Sequence, residues 1–338
     1  MKFDILDRHS WEETNEALQQ ALPRNLCPAT AAVRVYGGLA PAVFELAFGI
    51  AILYSHRKSA AVIPGRTWAF ESLLPHLYKE GFSVRELMAD QDSSALVKAV
   101  DELKKDTLFC LWSEDHPVLG TYWSGDELDA KLNDRKIFSI RVSHAAFHYR
   151  PQPIRPYSVR ICSLAPRLTV AVLGEKVNPP PLAVHRLPWD LNKIVDNVLQ
   201  ALKVEAENQE AVSDFESRIE KLTGFRRFID GDHTNMNGDH RIFDRAVIYH
   251  PEVNADAVLR TMAPTLGFAV GPAGSMPPAE ILNLCRWAPN PPLAQWWKPE
   301  PKPEVLRGFL CLSLSLIAKT NVDAALVAGE REAKSLSG

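Results

Sequence analysis

Apolar positions along the first half of the chain alternate between helical and strand spacing. Ser10 and Glu13 form an S-x-x-E capping box, which predicts a helix from Trp11 to about Leu22. The β-branched run AAVRVYGG reads as a strand closed by two glycines. In the next run Leu39, Val43, Leu46, Ala47, Ile50 and Leu53 keep helical spacing, with basic residues after them. AAVIPG reads as a short strand, and TWAFESLLPHLYKEG as a helix stopped at Gly81. SVRELM and TLFCLW are two further strands, with the helical run SSALVKAVDELKKD between them. Ser124 and Glu127 form a second capping box that opens SGDELDAKLND, and the strands KIFSIRVS and YSVRICSL follow. Strands alternating with helices in this way predict a parallel sheet covered on both faces.

The pattern changes at Asn178. NPPPLAVHRLPWD contains four prolines, which fix φ and remove backbone donors, so it reads as a stiff connection. Beyond it Leu191, Ile194, Val195, Val198, Leu199 and Leu202 form one apolar helical stripe, resumed at Phe215, Ile219 and Leu222. RRFIDG, RAVIYH, a helix near Ala255 to Leu266, GFAVGP and EILNLCRW follow, an α+β arrangement. A second proline-rich stretch, APNPPLAQWWKPEPKP, leads to a closing helical segment from about Glu304. The expected organisation is a large domain over residues 1–177, a connection over 178–190 and a smaller α+β domain over 191–338.

Composition narrows the classes. The 338 residues are 46% hydrophobic and 23% charged, which excludes a disordered or fibrous chain. Lys and Arg number 38 against 41 Asp and Glu, a formal charge of −3. So balanced a chain has no global attraction for nucleic acid or an anionic membrane. The five cysteines, Cys27, Cys110, Cys162, Cys285 and Cys311, are widely spaced with no C-x-x-C pair, against both a disulfide framework and a structural zinc site. The longest apolar run, Leu39 to Tyr54, is sixteen residues with Glu45 inside it, short for a bilayer span. The polar amino terminus has no signal-peptide core, and a soluble, cytoplasmic protein is expected.

The order of events is more specific. A glycine pair opens an apolar helix, then come I-P-x-x-x-W, a helix, E-G-F, a strand before P-x-x-G, and an S-x-x-E-L helix. From about Val33 to Lys176 this order resembles the large domain of the fold-type I pyridoxal-phosphate aminotransferases of the class I/II group. The resemblance implies an α/β large domain with a mostly parallel sheet flanked by helices, a smaller α+β domain and a homodimer. It places Gly37, Gly38 and Leu39, with Ala40, at the turn that holds the cofactor phosphate. A helix N-terminus suits an anion, although a glycine turn also precedes many ordinary helices. Trp68 matches the aromatic that stacks on the cofactor ring in part of the family, although an aromatic at that spot is more often core packing.

The departures decide the expected function. His116 or Pro117, according to the gap, stands where the family has the asparagine bonded to the cofactor hydroxyl. Ser143 takes the place of the aspartate that keeps the pyridine nitrogen protonated, and His144 that of the glutamate beside it. A serine cannot hold a pyridinium charge. In Ser163-Leu164-Ala165-Pro166-Arg167 the imine-forming lysine is replaced by Pro166, or by Arg167 one residue on. Neither forms an imine, and Lys176 lies too far along the chain. EILNLCRW resembles the strand whose arginine clamps the substrate carboxylate. Arg286 is therefore a candidate ligand-binding residue, as is Arg167, with an ion pair at a domain boundary as the other reading of Arg286.

The remaining constellations are weaker. Asp230, Asp232 and Thr234 copy the start of a calcium loop, but Asn235 replaces the turn glycine and no glutamate closes it. No metal site is expected there or at His144 and His148. Arg141, Arg150, Arg155, Arg160 and Arg167 cluster within 27 residues, either lining an anion pocket or serving as ordinary ion-pair residues. Trp296 and Trp297 read as an exposed partner anchor or a buried plug. The expectation is an aminotransferase-fold protein with no catalytic residue and no cofactor. It would act as a non-catalytic scaffold, regulator or sensor of a small anionic ligand or protein partner. The alternatives are an active pyridoxal-phosphate aminotransferase acting on an amino acid, or an enzyme of other chemistry on this scaffold.

Overall fold

The computed structural model describes residues 8–22, 27–63, 68–87, 93–114, 121–122, 125–143, 154–165 and 168–179. It further describes 196, 218, 226–227, 240–241, 245–249, 257, 260–261, 309–313 and 319–336. The chain divides into two compact units, Met1–Asp115 with Trp123–Leu202, and His116–Tyr122 with Lys203–Gly338.

The first unit opens with α1 (Arg8–Ala21), β1 (Ala32–Tyr36), α2 (Leu39–Leu53), β2 (Ser59–Val62), α3 (Trp68–Lys79) and β3 (Ser83–Glu86). It continues with α4 (Ser93–Asp101), β4 (Thr107–Ser113), α5 (Asp126–Asp134), β6 (Phe138–Ser143), β7 (Ser158–Ala165) and β8 (Leu168–Leu173). Its seven strands form one sheet in the order β1-β8-β7-β6-β4-β2-β3. β3, β2, β4, β6 and β7 are mutually parallel. β8 runs antiparallel to both β7 and β1, so β1 points the same way as the parallel set.

Alternation along the strands loads two faces. Phe109 and Leu111 of β4, Phe138, Ile140 and Val142 of β6, and Val159 and Ile161 of β7 pack with Val43, Leu46 and Ile50 of α2 and Leu73 and Leu77 of α3. Cys110 and Trp112 of β4 turn to the opposite face, against Leu96 and Val100 of α4 and Leu128 and Leu132 of α5. Helices therefore cover both faces, as the alternating pattern predicts. At the free edge of β1, the Val35 N–H donates to Asn15 Oδ1 of α1 at 3.0 Å, which occupies an otherwise open strand donor.

Two details differ from expectation. β8 is a reversed strand in a sheet read as parallel: LTVAVL follows β7 too closely for a crossover, and only an antiparallel return is available over that distance. The capping boxes are also displaced. α1 already includes Arg8, so Ser10 lies inside the helix. α5 takes Gly125 as its N-cap, one residue after Ser124, with no side-chain cap bond. Gly125 is required by packing, because a Cβ there would overlap the Trp112 ring.

In the second unit β9 (Arg226–Arg227), β11 (Arg245–Tyr249) and β12 (Phe309–Ser313) form an antiparallel sheet in the order β12-β11-β9. β10 (His240–Arg241) pairs with β5 (Thr121–Tyr122), and α6 (Lys319–Leu336) closes the unit. The closing segment expected as helix from Glu304 is thus a strand first, because FLCLS pairs in full register with RAVIY. A near-continuous apolar run fits either structure until a partner strand is in place. Among the described residues no helix is long and apolar enough to cross a membrane. The stripe at Leu191–Leu202, the run before His240 and the Trp296–Trp297 pair lie outside them.

Burial also sets an alkaline limit. Desolvation pushes the buried Cys110 thiol from an ordinary 9.0 up to about 12. Tyr36, buried and donating to Glu45 Oε1 at 3.3 Å, is raised well above the phenol range by desolvation and then by the Glu45 charge. In the unfolded chain the Cys110 thiol loses its proton near 9, while the folded chain holds it. Stability therefore falls as pH rises from about 9 to 12. Denaturant titrations across that range should record this decline, and a Cys110→Ala, Tyr36→Phe double variant should flatten it.

Glycine substitution separates space from backbone strain. A Cβ on Gly174 would overlap the Arg155 carbonyl oxygen, while Gly81 sits at φ +79° with open space around it. Gly81→Ala should cost about 1–2 kcal/mol for left-handed backbone, and Gly174→Ala about 3 kcal/mol, the upper end of overpacking costs, as the new Cβ collides with backbone, both measured by chemical denaturation.

Candidate functional site

Because β1, β2, β4, β6 and β7 share one direction, their carboxyl ends lie along one edge of the sheet. In open α/β sheets that edge is where ligands bind. It carries Gly37–Gly38 after β1, Ser113–Glu114 at the end of β4, Ser143 at the end of β6, and the β7–β8 return after Ala165. The structure thus sets Gly37, Gly38, Leu39 and Ser143 on one edge, although Gly37 and Ser143 are 106 residues apart in sequence. Trp68 opens α3 after β2, with its side chain outside the described residues. His116, Pro166, Arg167 and Arg286 lie outside them entirely.

The glycine turn leads into α2 through Gly38, an extended N-cap (φ 167°, ψ 165°) without a side-chain cap bond. Leu39 and Ala40 bring backbone N–H groups to the first turn and Pro41 brings none. No hydroxyl stands in this turn. A Cβ on Gly38 would meet only the Pro41 ring, at 3.6 Å. The turn keeps the direction of an anion-holding helix start and lacks the side-chain donors that would reinforce it.

The floor of the edge is ionic. Strand alternation sends Phe138, Ile140 and Val142 towards α2 and α3, so Ser139, Arg141 and Ser143 face the α4 and α5 side. On β7 the same parity turns out Ser158 and Arg160, and Arg141 and Arg160 are direct register neighbours. Glu114, one residue past β4, holds the two guanidiniums together. Its Oε2 accepts from Arg160 Nε at 3.1 Å and Nη2 at 2.9 Å, and its Oε1 lies 3.3 Å from Arg141 Nε. All three side chains are at most 1% exposed. The Glu114 N–H donates to Val142 O at 2.8 Å, and Ser113 Oγ to the same carbonyl at 3.2 Å, so β4 and β6 remain pinned past the end of the β4 ladder. Charge-assisted bonds of this kind are strong but demand that every partner stay in place.

Ser143 itself is fully buried, as are Ser113 and Glu114. The chain thus covers the end of β6 with its own atoms. Among the described residues at the ends of β1, β4, β6 and β7 there is no lysine, and the carboxylate there, Glu114, is committed to two arginines. The arginine cluster singled out in the sequence divides accordingly. Arg141 and Arg160 are ion-pair residues, and Arg155 pairs with Asp129 of α5 at 3.4 Å, where Ser158 Oγ also donates to that carboxylate. Arg150 and Arg167 lie outside the described residues. Sequence reasoning missed Glu114. Its signal was an acid directly after a seven-residue, mostly apolar strand, with arginines embedded in two other mostly apolar strands.

No protein-family model matches the sequence, and no curated protein matches it significantly. Solved structures do match in fold. A NifS-like protein superposes with a TM-score of 0.67 at 12% identity, over 97% of this chain and 88% of the other. A ureidoglycine-glyoxylate aminotransferase from Bacillus subtilis gives 0.66 at 11%, over 100% and 89%. The cysteine desulfurase CsdA from Escherichia coli gives 0.63 at 11%, over 99% and 88%. This chain has the aminotransferase-like fold. At these identities the likeness carries the architecture alone, and the chemistry must be argued from the residues at the sheet edge.

The floor makes a stability prediction. Glu114→Gln should cost about 3–5 kcal/mol in urea denaturation, since it leaves two buried guanidiniums without their shared counter-charge. The exposed pair of Arg85 with Glu102, at 2.6 Å, is the control: Arg85→Ala should cost under ~1 kcal/mol. Equal costs for the two would mean that the buried triad carries no special weight.

Proposed function

We propose that this aminotransferase-fold chain is a non-catalytic protein, which acts as a scaffold or regulator through a small anionic ligand or a protein partner. One observation carries the reading: the end of β6 presents a buried neutral Ser143 instead of a carboxylate, above a carboxylate already consumed by Arg141 and Arg160. An electron-withdrawing pyridine ring needs a negative partner at its nitrogen, and an imine needs an unprotonated amine. Serine supplies neither, and proline or arginine at residues 166–167 supplies no such amine. The first turn of α2, with Pro41 and no hydroxyl, is a poor cradle for a phosphate. The residues do not fit pyridoxal phosphate, and no reaction step is assigned to it. Arg167 and Arg286 are the side chains proposed to hold an anion.

The test is an absorbance titration of the purified protein with pyridoxal phosphate, then borohydride reduction and peptide mass analysis. The expected result is no aldimine band and no reduced adduct. A visible band with a single labelled lysine would overturn the reading and restore an active pyridoxal-phosphate aminotransferase.

A further inference from the structure

The amino ends of β2, β4 and β6 lie side by side, because the three strands are parallel neighbours in the sheet. This edge is opposite the one that carries Ser143, and the loops that feed it are basic. Arg57 and Lys58 precede β2, Lys104 and Lys105 precede β4, and Arg135 and Lys136 precede β6. Hydrogen bonds join these loops without neutralising them. Arg57 donates to the Lys136 carbonyl at 3.1 Å and Lys58 to that of Glu80 at 3.1 Å, while Arg135 donates to the carbonyls of Val100 and Leu103. A carbonyl satisfies a donor but leaves its charge in place. Lys104, Lys105 and Lys136 are exposed.

Most acids nearby are engaged elsewhere. Asp101 pairs with Lys131 at 2.8 Å and Glu102 with Arg85 at 2.6 Å. At the flanks Glu80 offsets Lys79, Asp129 pairs with Arg155, and Glu175 pairs with Lys176. Asp106 and Asp134 remain, so six cations stand with two acids across three strand starts. That surplus of four leaves −7 for the rest of a chain whose formal total is −3.

Lys136 adds an independent observation. α3 and α5 end in the same way. Gly81 N–H donates to Tyr78 O and Phe82 N–H to Leu77 O, and Lys136 N–H donates to Asn133 O and Ile137 N–H to Leu132 O. The residue at the turn must be left-handed, which suits glycine. After α3 it is Gly81, at φ +79°, but after α5 it is Lys136, at φ +55° and alone among the described non-glycine residues in having a positive φ. The chain thus keeps a charged side chain where glycine would fit with less strain, and strained positions of this kind concentrate at binding sites.

We propose that the amino edge of the sheet, at Arg57, Lys58, Lys104, Lys105, Arg135 and Lys136, binds a short acidic segment of another protein. Neighbouring strands are about 4.8 Å apart, so the three starts span about 10 Å, the length of three or four extended residues. The net negative charge of the rest of the chain favours a short acidic run over a long polyanion, which would leave the patch and meet repulsion. The rings beside Arg57, Tyr54 and Tyr157, are half-buried against Phe138 at 5.1 and 5.4 Å and make a poor stacking platform for bases. The proposal does not rest on the non-catalytic reading: an active enzyme with these loops would bind the same segment.

Fluorescence anisotropy of a labelled octaglutamate peptide, titrated with the full chain, tests it. The peptide should bind at low ionic strength and weaken as sodium chloride is added. Lys105→Glu should weaken binding at least ~5-fold. Lys334→Glu, the same charge change on α6, should leave binding unchanged. Lys136→Gly, which keeps the carbonyl that Arg57 binds, should weaken binding about 3-fold while raising the urea midpoint of unfolding. An eight-nucleotide oligothymidylate should bind more weakly than the peptide. No binding at low salt, an equal loss at Lys334→Glu, full binding by Lys136→Gly, or tighter binding of the oligonucleotide would each overturn the proposal.

Discussion

A carboxylate taken out of water keeps its charge only if counter-charges leave water with it, and in this chain that requirement ties three strands together. Glu114 at the end of β4 is shared by Arg141 of β6 and Arg160 of β7, with all three side chains essentially inaccessible. None of the strands can slide by a residue without turning one of these groups into the opposite, apolar face. The register of the central sheet and the ionic floor therefore stand or fall together. The Glu114 N–H on the Val142 carbonyl extends the same constraint through the backbone to the edge where the parallel strands end.

That floor bears on function because of where it lies. Fold-level likeness reaches a cysteine desulfurase and an aminotransferase over nearly the whole chain, at identities of 11%. An architecture survives such divergence because it is held by core volume and alternation, which many sequences satisfy. Chemistry does not survive it so easily, since a single carboxylate or amine has no substitute. Here the end of β6 carries a buried serine, Ser143, and Glu114 at the end of β4 neutralises arginines of the same chain. The electrostatics of the edge serve the protein's own packing, which is the physical content of the non-catalytic reading.

The other face of the sheet presents a complementary case. α2 lies over β1, β8 and β7 and buries most of its circumference, including Glu45 against Arg34 and Tyr36. Burying the one charge of the helix on the inner side leaves the outer side uniformly apolar. The core thus dictates the character of the outer surface of α2.

Residue pattern alone determined the elements of the first unit. The period-two strands and period-3.6 helices from AAVRVYGG to YSVRICSL are local properties, and each element forms where its spacing places it. The glycine that stops α3 and the order of strand and helix that carries the family resemblance were legible for the same reason. Tertiary structure alone decided the direction of β8, the strand at Phe309–Ser313 and the partners of the buried arginines. Those depend on which distant segments meet: a run such as FLCLS becomes a strand when RAVIY lies beside it. An arginine in an apolar strand is an anion site or half of an ion pair according to whether a carboxylate 27 or 46 residues earlier in the chain arrives next to it. Spacing along the chain encodes the periodicity of a backbone, whereas the meaning of a buried charge is set by its neighbours in space.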